Sequence, residues 1–344
     1  MISRGKNRQR GYILALNIAV LTLMLIGATY MGHRMSVARD LARAEQARLS
    51  AEYLLESARA KIFFMLATVP RGSRGLGVGS EAVSLDGRYY RLGERVLVSL
   101  QDTRGLVALN GVTTSGFGRE RIERLLGTYG VDTLEASRMT DTLLDYRDAD
   151  DLRRLNGAER EDYTRGGKGE SIRNADLLNV GELARVLNWP DKKQIWGKDP
   201  IVDHVSAMRL ASFNPNTADW RALVAVSGIS AEFAQSLVAS RRSGEIEDIA
   251  PLVFSGTLND PFGPNALVTL FPAPTVIIKL KLVGLPWAYR ITMAHTPEIE
   301  YAPWRVESFE RISVLQPDPN LDKLPALPGP DELLSSLEFK SRVQ

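Results

Sequence analysis

The stretch "QRGYILALNIAVLTLMLIGATYMG", residues 9–32, decides how the chain begins. Its predominantly apolar run extends from Tyr12 to Met31 and contains no charged residue. At about 1.5 Å per residue, a helix of that length covers roughly 30 Å, the thickness of the hydrocarbon core of a bilayer. A secretory signal has a shorter apolar region followed by a cleavage site with small residues. The run therefore predicts a helix that crosses a membrane and stays attached to the protein.

The charges on either side of this run predict its orientation. The tail before it carries Arg4, Lys6, Arg8 and Arg10 and no acidic residue. Positively charged flanks stay in the cytoplasm. Acidic residues are mixed with the arginines that follow the run. The chain is thus expected to cross the membrane once, with a cytoplasmic N-terminus and most of its length on the opposite side.

The helix is expected to continue far beyond the membrane, because no glycine or proline lies between Gly32 and Pro70. Apolar residues recur every three or four positions and form one stripe on an amphipathic helix. The stripe consists of Leu41, Ala44, Ala47, Ala51, Leu55, Ala58, Ile62 and Met65. Residues 12–70 are therefore predicted to form one long rod, whose second half needs cover from a sheet of its own chain or from neighbouring rods.

Two groups of predicted strands lie on either side of a helical block. Strand patterns occur at 87–93, 95–102 and 105–110, and again at 275–284, 287–296 and 304–315. Between them, the segments at 118–130, 134–151, 177–189 and 217–228 resemble capped helices. This order predicts one α+β domain, 71–110 and 272–315, interrupted by a helical insertion, 111–271. Residues 316–344 are proline-rich and predict an extended linker with a short helix at 331–339.

The composition argues against several classes of protein. The formal charge is +2, with 43 basic and 41 acidic residues, whereas a dedicated nucleic-acid-binding protein has a strong basic excess. The chain has no cysteine, and its three histidines lie far apart in sequence. The sequence contains no hydrolase, nucleotide-binding or zinc-protease motif. These observations predict a protein that is not an enzyme and needs no obligatory cofactor.

The acidic segment "LLDYRDADDLRRLNGAEREDY", residues 143–163, is the candidate metal site. Hard cations such as Ca²⁺ take several oxygen ligands, and we select Asp148, Asp150 and Asp151 as candidate ligands. Asp148, Asp150 and Glu159 also occupy the first, third and twelfth positions of an EF-hand loop. Leu152 and Arg153 break that pattern, so an EF-hand is rejected. A solvated helix end with arginine partners explains the acidic residues equally well.

A second motif, residues 216–244, resembles a helix–hairpin–helix. In the DNA-binding form, two glycines let backbone N–H groups approach a phosphate. Gly228 fills the first of these positions, Ser230 fills the second, and Arg241 and Arg242 are candidate phosphate contacts. The alternative function is therefore a membrane-anchored DNA-binding receptor of the competence type. The balanced charge and the acidic residues next to the motif favour a packing unit instead, so nucleic acid is an unlikely partner.

These features together resemble the type IV pilin-like proteins, and more specifically the K-type minor pseudopilins of type II secretion. The resemblance covers about residues 4–310. It rests on the basic tail that ends at Gly11, on the acidic segment, and on the segment 213–230. It also rests on Leu16, since most pilins have glutamate as the fifth residue after the cleavage point and the K-type lacks it. Tyr12 departs mildly from the family pattern.

The resemblance implies a processing route and a fold. A prepilin peptidase would cut between Gly11 and Tyr12, remove the leader 1–11, and methylate the new N-terminus. The implied fold is a long N-terminal helix on a small antiparallel sheet. A large all-α insertion of the helix-hairpin-helix or SAM-like type interrupts it. The family's helical domain is associated with calcium.

The resemblance also implies a function and partners. A K-type subunit lies at the tip of the pseudopilus and initiates or caps its assembly for the export of folded periplasmic proteins. The implied partners are the I-type and J-type minor pseudopilins, the inner-membrane secretion platform and the prepilin peptidase. Leu16 is the assembly determinant, because a subunit without a buried glutamate needs no amine from a neighbour to pair with it.

Overall fold

The computed structural model describes residues 9–73, 75–77, 82–110, 116–165, 172–210, 212–241, 244, 246 and 267–334. The chain divides into two compact units, Met1–Ser57 and Ala58–Gln344. The α-helices are α1 Gln9–Thr68, α2 Gly116–Gly127, α3 Thr133–Arg147, α4 Arg160–Arg165, α5 Trp220–Ser227 and α6 Ala231–Ser240. Short 3₁₀ helices lie at Thr103–Gly105, Val180–Arg185, Lys193–Ile195, Ile201–Asp203 and Leu321–Lys323.

Eleven strands lie in the described part of the chain. They are β1 Gly75–Leu76, β2 Val83–Ser84, β3 Asp86–Leu92, β4 Val96–Asp102, β5 Val107–Ala108, β6 Val205–Ser206, β7 Ser212–Phe213, β8 Leu267–Val268, β9 Thr275–Leu282, β10 Trp287–His295 and β11 Trp304–Ser313. Five of them form an antiparallel sheet in the order β11–β10–β9–β4–β3. The predicted α+β class, with its long first helix, antiparallel sheet and further helices, is confirmed.

The first unit contains most of α1. The helix is 60 residues long, and it is the one helix among the described residues that is long and apolar enough to cross a membrane. Its most apolar stretch has no buried residue. These features fit a single-pass membrane anchor.

The last turns of α1 belong to the second unit and cover one face of the sheet. Ile62, Met65 and Leu66 are buried there. The ring of Phe63 meets that of Trp304 edge-to-face, with 5.9 Å between the centroids. The central strands β4, β9 and β10 supply the other apolar side chains of this layer, among them Leu100, Ile278 and Ile291. The apolar stripe predicted for this end of the rod is therefore buried by the chain's own sheet.

The inserted region has a hydrophobic core of its own, which extends from Val107 to Ala234. It is not purely helical, contrary to the expectation. β5 pairs in parallel with β6, and β7 pairs in parallel with β8. β5 was expected to belong to the first group of strands, but its pairing partner lies about a hundred residues away, which no local pattern indicates. Residues 177–189 were predicted to form an α-helix, but they contain only the 3₁₀ helix Val180–Arg185. Within this segment, the Glu182 carboxylate accepts a hydrogen bond from the Leu178 N–H at 2.8 Å.

Asp102, the last residue of β4, joins the sheet to the inserted region. Its buried carboxylate accepts hydrogen bonds from the Thr217 hydroxyl at 2.7 Å and from the Asn214 amide at 3.1 Å. It also accepts from the N–H groups of Ala273 at 2.8 Å and Arg104 at 3.0 Å. One side chain thus fixes the start of the insertion, the residues before α5, and the return of the chain to β9.

A second junction involves cations on the sheet. Lys279 of β9 pairs with Asp203 at 2.7 Å, and Arg290 of β10 donates to the Val202 carbonyl at 2.8 Å. Burial and the neighbouring Arg290 lower the pKa of Lys279, while Asp203 opposes that shift. The 3₁₀ turn Ile201–Asp203 therefore neutralises the charges that the sheet presents to the inserted region.

The proline-rich tail was expected to be an extended linker, but the structure attaches it to the sheet. The Asp318 carboxylate accepts from the Gly284 N–H at 2.7 Å and pairs with Lys281 at 2.5 Å. Ala326 forms a parallel bridge with Arg91 of β3. Helical residues begin at 330, and the remainder of the predicted helix at 331–339 lies outside the described residues after 334.

Candidate metal centre

The candidate centre begins at the end of α3. Asp132 caps the N-terminus of this helix by accepting from the Glu135 N–H at 3.0 Å. The helix ends at Asp148, whose N–H donates to the Leu144 carbonyl. The inner face of α3 carries two buried carboxylates, Asp141 and Asp145, beside apolar residues. A buried carboxylate is costly unless it is paired, so the loop after the helix must supply partners.

The loop supplies them through residues 154–157. The Asp145 carboxylate accepts from the Arg154 N–H at 3.1 Å and from its guanidinium at 2.5 Å. The Asp141 carboxylate accepts from the N–H of Asn156 at 3.2 Å and from its side-chain amide at 3.3 Å. A Cβ on Gly157 would lie 1.8 Å from an Asp145 oxygen. The Asn–Gly pair of the acidic segment therefore has a physical reason, because only glycine leaves room for the Asp145 carboxylate.

This folded loop brings three carboxylates together. Ligand atoms of Asp148, Asp150 and Glu159 all lie within 4.8 Å of one another. Glu159 is only 7% exposed. Both of its carboxylate oxygens, and Oδ1 of Asp148, are buried without a hydrogen-bond partner among the described residues. Such orphaned acceptors are rare in folded proteins and call for an explanation.

The electrostatics of Glu159 favour a cation in this place. Burial, together with the nearby carboxylates of Asp145, Asp148, Asp151 and Asp150, raises the pKa of Glu159 to about 7. A divalent cation would remove this repulsion and satisfy the orphaned oxygens at once. Calcium accepts an all-oxygen and irregular ligand set of this kind. The residues present thus fit a calcium ion.

The structure places two of the three candidate ligands in this cluster. Asp148 and Asp150 belong to it, whereas the Asp151 carboxylate accepts from the Asn174 amide at 3.2 Å. Glu159 takes the third place and was missing from the candidate set. Its spacing from Asp148 and Asp150 matched an EF-hand and was the signal that could have identified it. The rest of the loop does not follow an EF-hand, because Arg154 and Asn156 bond to α3 instead.

The motif that resembles a helix–hairpin–helix contains a helical hairpin formed by α5 and α6. Asp219 caps α5, Gly228 ends that helix in the left-handed conformation with φ of 70°, and Ser230 caps α6. Arg241 is only 6% exposed. Its guanidinium donates to the carbonyls of Pro215 and Ala218, and burial lowers its pKa to about 10. Arg241 is therefore unavailable to a DNA phosphate, and the candidate contact Arg242 lies outside the described residues.

Comparison with known proteins finds similarity to a family model and to solved structures. Residues 98–194, which contain the whole carboxylate cluster, match the family model described as type II secretion system, protein K. This segment is similar to protein K of type II secretion.

A solved structure shares the fold of this chain. It is described as the crystal structure of the GspK–GspI–GspJ complex from the enterotoxigenic Escherichia coli type 2 secretion system. The TM-score is 0.54 and the identity 17%, and the match covers 81% of this chain and 99% of the other. A comparison with curated proteins gave no match.

The N-terminal residues to which the resemblance assigns a role, Gly11, Tyr12 and Leu16, lie in α1. Gly11 is inside the helix, which begins at Gln9, so the predicted cleavage site is helical rather than extended. Tyr12 and Leu16 are exposed on the apolar segment.

Proposed function

We propose that this chain is the tip subunit of a type II secretion pseudopilus, where it initiates or caps assembly for the export of folded periplasmic proteins. The family match over residues 98–194 carries the proposal. Leu16 supports it, since a subunit without a buried glutamate leaves no unpaired carboxylate in lipid when no subunit lies beyond it. The inserted region adds a second core to the sheet domain, and its bulk would prevent a further subunit from docking.

The partners we propose are the I-type and J-type minor pseudopilins. The solved structure with the same fold is part of a complex with GspI and GspJ. The apolar stripe on the exposed half of α1, which begins at Leu41, is the surface we assign to them. The chain would be anchored in the inner membrane with its N-terminus in the cytoplasm, next to the secretion platform. It would act as a structural component and not as an enzyme.

Tagging and a deletion test the position at the tip. A tagged chain should label one end of each pseudopilus rather than its whole length. Removal of the inserted region, about residues 111–271, should let the chain enter the filament body or abolish initiation. Label along the whole filament from the intact chain, or normal assembly after the deletion, would contradict the tip role.

Processing by the prepilin peptidase is tested by mass spectrometry of the mature N-terminus. We expect the mature chain to begin at Tyr12 with a methylated amine when the peptidase is present. A Gly11→Val variant should accumulate with the leader attached, whereas Gly27→Val, deeper in the same helix and with open space around it, should be processed. An intact leader on the unaltered chain would refute the cleavage site.

We further propose that Asp148, Asp150 and Glu159 hold a calcium ion. Bound calcium, together with Arg154, which pairs with Asp148, would balance the charge of the three carboxylates and fix the two ends of the loop that follows α3. Binding to the folded state alone stabilises a protein by about 2.7 kcal/mol at a ligand concentration of a hundred times the dissociation constant. Calcium should therefore raise the melting temperature of the detergent-solubilised chain.

Two variants that each remove one negative charge distinguish calcium binding at this site from a general effect of ionic strength. Glu159→Gln should abolish the stabilisation by calcium, because Glu159 is buried in the cluster. Asp151→Asn should keep it, because Asp151 lies outside the cluster and bonds to Asn174. An equal calcium effect in both variants, or none in the unaltered chain, would remove the site.

A further inference from the structure

The two edges of the five-stranded sheet are protected in different ways. An open edge presents unpaired backbone N–H and C=O groups that can pair with another chain. The β11 edge carries Arg305, Glu307 and Arg311, and a bulge interrupts its pairing opposite Thr292 and Met293. Charges and bulges are the usual protection of such an edge. The β3 edge is instead covered by the tail.

The tail pairs with β3 through one parallel bridge, between Ala326 and Arg91. The Arg91 N–H donates to the Pro325 carbonyl at 2.9 Å, and the Leu327 N–H donates to the Arg91 carbonyl at 2.8 Å. This is the pattern of a parallel bridge. Main-chain hydrogen bonds of this kind give affinity in strand addition, and pockets for alternate side chains give specificity. The contact therefore has the form of peptide recognition.

Two leucines of the tail act as anchors. Leu327 is buried beside the bridge, and Leu333 is 1% exposed. A Cβ on Gly77 would lie 3.2 Å from Leu333 Cδ2, so the absence of a side chain at Gly77 makes room for that leucine. Asp318 provides a polar anchor through Lys281 and the Gly284 N–H. The residues between these anchors are rich in proline, which restricts the free peptide and lowers the entropy cost of binding.

We propose that the β3 edge is a peptide-binding site for an extended proline-containing segment, and that the chain's own tail, residues 316–334, is its resident ligand. The site recognises a backbone donor and acceptor next to Arg91, an apolar anchor at Leu327, and a second anchor at Leu333. The tail is bound in cis, so the same segment supplied in trans should bind once the resident copy is removed. Displacement of the tail would open this edge of the sheet to another polypeptide.

The test uses a synthetic fluorescent peptide of residues 316–334. A chain that ends at Leu315, purified in detergent, should bind this peptide saturably, as measured by fluorescence anisotropy. The full chain should bind it at least tenfold more weakly, because its own tail occupies the site. Addition of the peptide to the shortened chain should also slow the hydrogen exchange of the Arg91 amide, which donates to the tail.

Two N-methylated peptides form a matched pair. Methylation at Leu327 removes the N–H that donates to Arg91, and binding should weaken at least fivefold. Methylation at Ala326 should weaken binding less, because alternate N–H groups of an extended strand point to opposite sides.

If the shortened chain does not fold, the full chain with Leu327→Pro takes its place in the same assay, because its tail loses both the N–H donor and the buried leucine anchor at this position. It should then bind the peptide more tightly than the unaltered full chain does. A folded shortened chain that does not bind the peptide would overturn the proposal. So would equal binding to the shortened and full chains, or equal effects of the two methylations.

Discussion

The sheet and the inserted region bury their interiors by different means. In the sheet, apolar side chains such as Ile278, Leu280 and Ile291 fill the interior, and the strands pair their own backbone groups. In the inserted region, the buried carboxylates of Asp141 and Asp145 hold a loop through Arg119, Arg154 and Asn156. A sheet spreads its stability over many similar contacts, whereas a buried polar network concentrates it in a few atoms. Single substitutions should therefore have the largest effects where the network controls the fold.

The largest effect is expected at Asp102, where the two regions meet. Asp102→Ala removes the acceptor of four hydrogen bonds and leaves buried donors unpaired. The expected loss is about 4 kcal/mol of unfolding free energy, measured by denaturation in detergent. Asp86→Ala is the control, since Asp86 pairs with the exposed Arg88 on the surface of the same sheet. That change should cost less than about 1 kcal/mol, and equal losses in the two variants would contradict the comparison.

The next effect concerns His204, which is buried in a separate polar cluster of the inserted region. Its ring meets Asp199 at 2.7 Å and also contacts Asp219. Burial alone would lower the pKa of His204, but the two carboxylates outweigh it and raise the pKa to about 9. The folded state thus binds a proton more tightly than the unfolded state. The resulting stabilisation is fully present below pH 6.5 and is lost as the pH rises through 9, with a size of about 3 kcal/mol.

A pair of histidine variants isolates this contribution. His204→Gln should remove the decline in stability between pH 6.5 and 9, as measured by thermal unfolding at several pH values. His295→Gln should retain the decline, because burial and the nearby Arg71 lower the pKa of His295. A decline of the same size in the His204→Gln variant would show that other groups cause it.

A smaller effect is expected at the Asn–Gly loop. Gly157→Ala introduces a Cβ 1.8 Å from an Asp145 oxygen, and the forced shift should cost about 1–3 kcal/mol. Gly127→Ala at the end of α2 is the matched control, because no atom lies within 4 Å of its added Cβ. That change should be neutral or slightly stabilising. A neutral Gly157→Ala would mean that Asp145 is not held as the structure shows.

The sequence predicted the parts of the molecule that depend on local patterns. The strands β3, β4, β9, β10 and β11 follow alternating apolar patterns, and the structure has them close to the predicted places. The long helix follows from composition and from the absence of glycine and proline between residues 32 and 70. The attachment of the tail was not predicted, because a single parallel bridge leaves no periodic pattern.

The candidate site was predicted only in part, for a physical reason. Asp148 and Asp150 are close in sequence, so their proximity could be expected. The third ligand depends on where the loop returns, and long-range bonds from Arg154 and Asn156 to α3 decide that return. Asp102 and His204 are likewise isolated residues whose partners lie far away in sequence. Their roles follow from the tertiary fold and not from any local spacing.

The central proposal is that this chain assembles with I-type and J-type minor pseudopilins. Native mass spectrometry of the detergent-solubilised chain mixed with both partners tests it most directly. The account predicts a complex that contains one copy of each protein and that survives dilution to micromolar concentration. A chain that stays monomeric with both partners at tens of micromolar would contradict the account.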